Sequence, residues 1–515
     1  MRIGVDVGGT NTDAVLMDGV DVVAWTKTPT TPDVGRGIIT ALQHVLDQTQ
    51  APKSQITAVM IGTTHFTNAV VERRRLLEVA AIRLGLPATE ALPPFVDWPK
   101  DLAEVLGNHV YLVHGGHEFD GREIAPLNEP ELRQVAADVR AKGLRSIAIS
   151  SVFAPVNASM EESAAEVLRQ ELPDVLISLS NQVGRLGLLE RENATIMNAS
   201  LRGLAHQVAR SFREALVELD LAVPFYISQN DGTLMTADYA ERYPVLTFAS
   251  GPTNSMRGAA FLSGLQDAMV VDVGGTTSDV GMLVHGFPRE ASIAVDIGGV
   301  RTNFRMPDVL SFGLGGGSLV RQADGGVRIG PDSVGYELTT KGRVFGGEVL
   351  TTTDIAVAAG TVELGDRSHV ADLDSGLVAT TLDEIHRMVD VAVDRMRLSA
   401  APIPVILVGG GAILICRPIQ GASEIVKPNY SVVANPVGAA IGQVGGEVDR
   451  VFSLVGLNRD QALEEAKNEA NSRAVAAGAD PTTIRVVDVE DIPLSYLPGN
   501  AVRVRVKAIG DLFLT

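Results

Sequence analysis

Cysteine is nearly absent: Cys416 is the single one in 515 residues. One thiol excludes an intrachain disulfide and a cysteine-rich metal site, and it fits a reducing compartment. Cys416 itself is read as a buried apolar residue. Aromatic residues are scarce as well, at 4%, so stacked rings are not the main means of recognition. Basic residues are outnumbered, 43 Lys and Arg against 62 Asp and Glu, which leaves a formal net charge of −19. That balance argues against nucleic acid and against anionic membranes, since both attract a basic footprint. No apolar run approaches the roughly 18 residues of a membrane span. No leader is apparent either, because Met1-Arg2-Ile3-Gly4-Val5-Asp6 runs straight into a strand pattern. The expectation is a cytoplasmic, soluble protein with neither nucleic-acid nor membrane partners.

Glycine, by contrast, is plentiful at 52 residues, so tight turns carry much of the design. A search for internal repeats shows where. Val5-Asp6-Val7-Gly8-Gly9-Thr10-Asn11-Thr12-Asp13 returns as Val271-Asp272-Val273-Gly274-Gly275-Thr276-Thr277-Ser278-Asp279. An apolar strand precedes and follows each copy, so the repeated unit is strand, Gly-Gly turn, strand. A length of 515 residues implies two to four domains at ~100–200 residues each. Strand and helix patterns alternate between the copies, which favours α/β layering. The boundaries expected are 1–190 for a first lobe, 191–265 for a helical bridge, 266–450 for a second lobe and 451–515 for a small α+β tail.

A triphosphate needs backbone N–H donors at close range, and glycine lets the main chain come near enough. Gly8, Gly9, Thr10 and Asn11 form one candidate phosphate turn; Gly274, Gly275, Thr276 and Thr277 form the other. A lone Asp-x-Gly-Gly-Thr is equally an ordinary hairpin, and it is the duplication that points to phosphate. Asp6 and Asp272 end the strands before the turns, where a carboxylate repels phosphate unless a cation intervenes. They are therefore read as the catalytic pair, facing Mg²⁺ through water, with Asp272 orienting a water or accepting a proton. Asp13 and Asp279 are read as caps of the turns.

Further candidates follow. The strand Val405–Val408 and Gly409, Gly410 and Gly411 after it are read as a wall for adenosine. Gly315, Gly316, Gly317 and Ser318 are read as a ligand loop with backbone amides open to an anion. Thr63, Thr64 and His65 stand at a helix start and are candidate substrate contacts. Arg191, Glu192 and Asn193 open the long helical stretch Glu190–Leu219 and are weighed as cleft residues. His114, His117, Glu118 and Asp120 fit no zinc spacing and are read as solvent-facing. Val295-Asp296-Ile297-Gly298-Gly299-Val300 lacks the threonine and is read as a plain turn. Gly438-Ala439-Ala440-Ile441-Gly442 reads as a small-residue helix packed closely on another.

These pieces, in this order, resemble the superfamily of acetate and sugar kinases, heat-shock chaperones and actin. Within it, five segments are similar to the hydantoinase A/5-oxoprolinase family: Ile61 to Ala69, Gly115 to Glu123, Glu190 to Thr195, Ser250-Gly251-Pro252 and Phe312 to Ser318. The resemblance spans Met1 to about Gly446. It implies two ribonuclease-H-like ATPase lobes around a nucleotide cleft, with ATP and Mg²⁺ as cofactors. It further implies a hydrolase subunit that opens a cyclic amide such as a hydantoin, 5-oxoproline or a lactam by phosphorylating the amide oxygen. The phosphorylating subunit of a ketone carboxylase and a small-molecule kinase are the alternatives within enzymes. A nucleotide-dependent regulatory or assembly protein is the alternative outside them. Family members with a longer C-terminal region than this chain point to a second protein subunit, and an oligomer is expected.

Overall fold

Short β-branched runs broken by paired glycines fold back as hairpins, and the two repeated segments do so identically. Arg2–Val7 pairs antiparallel with Asn11–Asp18, setting Asp6 opposite Asp13 and Val7 opposite Thr12. Ala268–Val273 pairs antiparallel with Ser278–Val284, setting Asp272 opposite Asp279 and Val273 opposite Ser278. The first strand of each hairpin is flanked on its other side by a parallel strand, Ala58–Thr63 in one case and Ile403–Val408 in the other. This computed structural model describes residues 1–8, 11–29, 34–49, 52–291, 295–323, 326–494 and 500–513.

The first hairpin belongs to a nine-stranded sheet that draws on three distant parts of the chain. Beside Ala58–Thr63 come Phe225–Ser228 and Leu234–Thr236, then Val444–Phe452, Val502–Gly510 and Arg485–Pro493. The C-terminal strands are thus part of the first sheet, where the sequence suggested a separate tail. The reason lies in the pairing of Leu234 with Val444, after which Val502–Gly510 takes the next edge. The helix Arg459–Ala477 buries Ala462, Ala466, Ala470, Ala474 and Ala477 against these strands. That contact is so close that a Cβ on Gly446 would stand 2.2 Å from the Ala470 carbonyl oxygen.

The second hairpin sits in a six-stranded sheet with Ile403–Val408, Ala422–Val426, Phe287–Pro288 and Val309–Phe312, covered by the helix Ser375–Met396. A third, all-parallel sheet runs His109–His114, Val79–Leu86, Ser146–Ser151, Leu176–Leu179. The long helix Leu188–Glu218 lies between this sheet and the first one. Its first turns bury Arg191, Glu192 and Asn193, which corrects their reading as cleft residues. Glu192 receives Arg83 Nε at 2.8 Å, Arg191 donates to Ser180 Oγ at 2.9 Å, and Asn193 Oδ1 accepts from Trp98 Nε1 at 2.7 Å. A charged helix face can be buried when every charge is met in this way.

Three smaller readings meet the structure as follows. Cys416 is exposed, because the apolar run before it buries Leu414 and then turns out at Arg417-Pro418. His117 is buried, its amide donating to the Val152 carbonyl at 3.2 Å, rather than solvent-facing. Val295–Ile297 and Val300–Thr302 form a two-stranded hairpin around Gly298 and Gly299, the plain turn expected.

The two sheets meet through the helices Ser250–Ser263 and Ala434–Ala440, which touch backbone to backbone. A Cβ on Gly258 would stand 1.8 Å from the Ala434 carbonyl oxygen, and one on Gly438 would stand 1.9 Å from that of Asn254. Gly4, in the first strand, faces the Pro436 carbonyl at 1.9 Å in the same way. No helix among the described residues is long and apolar enough to cross a membrane. Gly258→Ala and Gly438→Ala are each expected to destabilise the fold by about 3 kcal/mol, the upper end of overpacking, because the obstacle is backbone. Gly326→Ala, where an added Cβ meets nothing within 4 Å, is the control. Urea denaturation reads all three, and equal midpoints would contradict the close crossing.

Candidate active site

The crossing helices leave a cleft of ≈ 500 Å³ between the two hairpins. Asp6 and Asp272 both line it, each at the carboxyl end of the first strand of its hairpin. The turns that follow are closed alike: Gly8 N donates to Asn11 O at 3.0 Å and Gly274 N to Thr277 O at 2.9 Å. Gly8, Asn11, Gly274, Gly275, Thr276 and Thr277 form part of the wall. Gly9 and Thr10 lie outside the described residues.

The carboxyl groups are held in an unfavourable setting. Loss of water pushes Asp6 up to about 8, and the charges of Asp13 and Asp272 add to that. Lys27 and a side-chain hydrogen bond from Asn435 act against it. Burial also raises Asp272, opposed by a hydrogen bond from Ser255 and by Lys27. Among the described residues Asp13 and Asp279 meet side chains of the neighbouring strands rather than their turns. Burial raises Asp13, opposed chiefly by Lys27, which forms an ion pair with it. Burial pushes Asp279 up to about 7, opposed by the Ser311 hydroxyl, which donates to it. Each of these partners stands directly across the neighbouring antiparallel strand, Lys27 opposite Asp13 and Ser311 opposite Asp279.

The other candidates divide. Gly409 and Gly410 line the cleft. Gly409 has φ +88°, and a side chain there would meet Asp272 Oδ1 at 2.2 Å, so only glycine fits. Gly411 packs behind, against the Gly274 carbonyl. Thr64 reaches the wall. Thr63 is buried and its hydroxyl meets His65 Nδ1. Burial first, and then the Arg75 charge, push His65 down to about 4, so its ring is neutral at physiological pH. The Gly315–Ser318 amides are not open to an anion. Gly316 N donates to Gly274 O at 3.0 Å, Gly317 N to Gly275 O at 2.7 Å and Gly315 N to Ser318 Oγ at 2.9 Å. This loop braces the second glycine turn from behind.

Lys27, Asn68, Ser255, Ser431 and Asn435 also line the cleft and escaped the sequence reading. Lys27 is the one cation on that wall among the described residues. Asn68 Nδ2 donates to Thr64 Oγ1 at 3.4 Å.

Residues 2–172 match the hydantoinase/oxoprolinase N-terminal region, and residues 191–366 match hydantoinase/oxoprolinase. The caprolactamase subunit alpha of Pseudomonas jessenii is 26% identical over 70% of this chain and 54% of its own length. The acetophenone carboxylase gamma subunit of Aromatoleum aromaticum is 26% identical over 70% of this chain and 53% of its own. The chain therefore spans about half the length of the curated relatives it matches. The solved ATP-dependent caprolactamase of Pseudomonas jessenii shares the fold, with a TM-score of 0.77 at 19% identity over 99% of this chain and 87% of that one.

A carboxyl whose folded pKa is raised binds more protons in the folded state, so its contribution to stability is complete below its unfolded pKa near 3.8 and lost as pH rises through about 8. In nucleotide-free, magnesium-free protein, Asp6→Asn is accordingly expected to match wild type in unfolding temperature near pH 4 and to exceed it increasingly towards pH 8. A difference independent of pH would contradict the desolvated site.

Proposed function

The chain belongs to the hydantoinase/oxoprolinase family, and on that premise we propose that it is an ATP-using enzyme subunit that phosphorylates the oxygen of an amide or carbonyl substrate. One observation carries this reading: two copies of one aspartate-and-glycine hairpin face each other across a single cleft, with one lysine between them. In this reading the two sheets are ribonuclease-H-like lobes, residues 1–190 supply the first hairpin and its neighbouring strands, 266–450 supply the second sheet, and the adenosine lies along Gly409 and Gly410.

Mg²⁺ fits the donor set. Among the described residues the buried Oδ1 of Asp6 has no partner, and burial raises the pKa of both Asp6 and Asp272. Among the described residues no three acidic, histidine or cysteine side chains form a cage, so Asp6 and Asp272 would hold the ion through water. Bound there, the ion supplies charge neutralisation at the phosphates.

The chain's own residues then do the following. The glycine turns bring main-chain amides up to the phosphates. Asn435 and Ser255 stand beside Asp6 and Asp272 and favour their charged forms. Lys27 places positive charge where charge accumulates on the transferred group. Asp272 orients a water or accepts a proton. The substrate oxygen bonds to the terminal phosphorus while the bond from that phosphorus to the bridging oxygen breaks, and ADP leaves with the electron pair. The activated amide carbon is then open to water, and phosphate departs as the leaving group. The relatives are named as subunits, which supports completion of that second step on a partner protein.

Phosphate release from ATP is expected to be stimulated by one of hydantoins, 5-oxoproline, lactams or ketones, in the presence of the protein encoded next door. A stable phosphoester product instead of free phosphate would identify a kinase. Slow turnover indifferent to every substrate would identify a nucleotide-dependent regulator. Asp272→Asn and Lys27→Met are expected to lower kcat by about 10²–10³-fold, the usual cost of one electrostatic stabiliser, while ATP still binds by calorimetry. Unchanged kcat in both would remove the two-hairpin site as the place of catalysis.

A further inference from the structure

A cavity of ≈ 810 Å³ shares no lining residue with the nucleotide cleft. It lies where Phe287–Pro288 and the Met306-Pro307 turn meet the C-terminal strands Arg485–Pro493 and Val502–Gly510. Its wall reverses the sign of the chain as a whole. Against a net charge of −19 for the protein, six cations line the cavity (Arg257, Arg289, Arg305, Arg485, Arg505 and Lys507), opposed on the wall by Asp231, Glu290 and Asp488.

Most of these cations are partnered. Arg289 binds Asp308, Arg305 binds Glu290 and Glu447, Arg505 binds Glu290 and Glu490, and Lys507 holds Asp231 at 2.9 Å. Arg257 and Arg485 are different: among the described residues neither has a carboxylate within ion-pair distance. Arg257 donates to the Gly286 carbonyl at 2.6 Å, and its guanidinium sits 3.8 Å from the Phe287 ring centre. The Lys507 ammonium lies 4.6 Å from the same ring, so two cations converge on one aromatic side chain.

The convergence leaves the site short of negative charge. Burial first, and then the charge of Arg305, push Lys507 down to about 8 in spite of its ion pair with Asp231. Burial pushes Arg257 down to about 10. An anion entering the cavity would relieve both. Beside the cations, Phe287, Pro288, Met306, Pro307 and Val486 present an apolar surface. A volume of this size suits a small organic molecule.

We propose that this cavity binds a small organic monocarboxylate with an apolar body, its charge held by Arg257 and Lys507, its body against Phe287 and Met306, with Arg485 at the exposed rim. A monoanion is favoured over phosphate, because most of the arginines are already committed to carboxylates and half of the wall offers no donors.

The test uses the full chain without nucleotide at low ionic strength, so that it does not depend on the ATP reading. Hexanoate, benzoate and inorganic phosphate are titrated separately by calorimetry. At least one of the two carboxylates is expected to bind saturably, at one site per chain. Arg485→Ala and Arg257→Met are each expected to weaken that binding by about tenfold or more, the loss of one charge-assisted contact. Arg485 is exposed, and among the described residues its side chain makes no hydrogen bond or ion pair that its loss would break, so its variant keeps the test valid if Arg257→Met folds poorly. ATP titrated into the same variants is expected to bind as in wild type. Three results would overturn the proposal: no heat from either carboxylate at concentrations up to about 20 mM, the weak end of specific binding; carboxylate binding untouched by both substitutions; or binding of phosphate alone.

Discussion

Two helices touching backbone to backbone set the geometry on which the cleft depends. With side chains at Gly258 and Gly438 the helices Ser250–Ser263 and Ala434–Ala440 would be forced apart. Their closeness carries Ser255 to Asp272 and Asn435 to Asp6, and it sets the spacing of the two hairpins. Gly4 and Gly409 extend the same economy of volume into the strands, one under the Pro436 carbonyl and one against the Asp272 carboxyl. Protein interiors are packed too densely to absorb even single methyl groups at such places without cost. The abundance of glycine in this chain is therefore tied to where two halves must approach, as much as to turns.

The cleft also stores electrostatic free energy. Asp6, Asp13 and Asp272 share it with Lys27, and loss of water raises all three carboxyl groups. Such a site is unfavourable on its own and is stabilised by whatever positive charge enters it. In the proposed function, stability and activity are thus opposed, as is common where a site is preorganised for a ligand.

Much of this was legible in the residues. The duplicated hairpin, its aspartates and the strand before Gly409 stand where local pattern put them, because each depends on a few consecutive residues, while the small-residue helix starts earlier, at Ala434, and ends at Ala440. Lys27 shows why the rest was hidden. Continued at the register set by Asp18 opposite Asp21, Lys27 would pair with Thr12, on the face away from Asp13. A bulge between Leu16 and Met17 shifts the pairing by one and brings Lys27 opposite Asp13. Ser255 and Asn435 reach the cleft only through the tertiary crossing. The Gly315–Ser318 loop was misread for a related reason: its composition shows that amides are accessible, while the carbonyls they meet belong to another segment. The place of the C-terminal strands likewise depends on a single non-local pairing, Leu234 with Val444.

That pairing has a consequence for the birth of the protein. The nine-stranded sheet is assembled from residues 2–63, 225–236 and 444–510. As the chain leaves the ribosome from its N-terminus, the edge beside Leu234–Thr236 has no neighbour until Val444–Phe452 has been made. Gly4 meanwhile waits for Pro436. The third sheet, formed wholly within residues 79–179, has all its strands early and can close as a unit during synthesis. The sheet that holds Arg2–Val7 is completed only after Val444–Phe452 is made, and until then it presents an open strand edge of the kind that pairs with strangers.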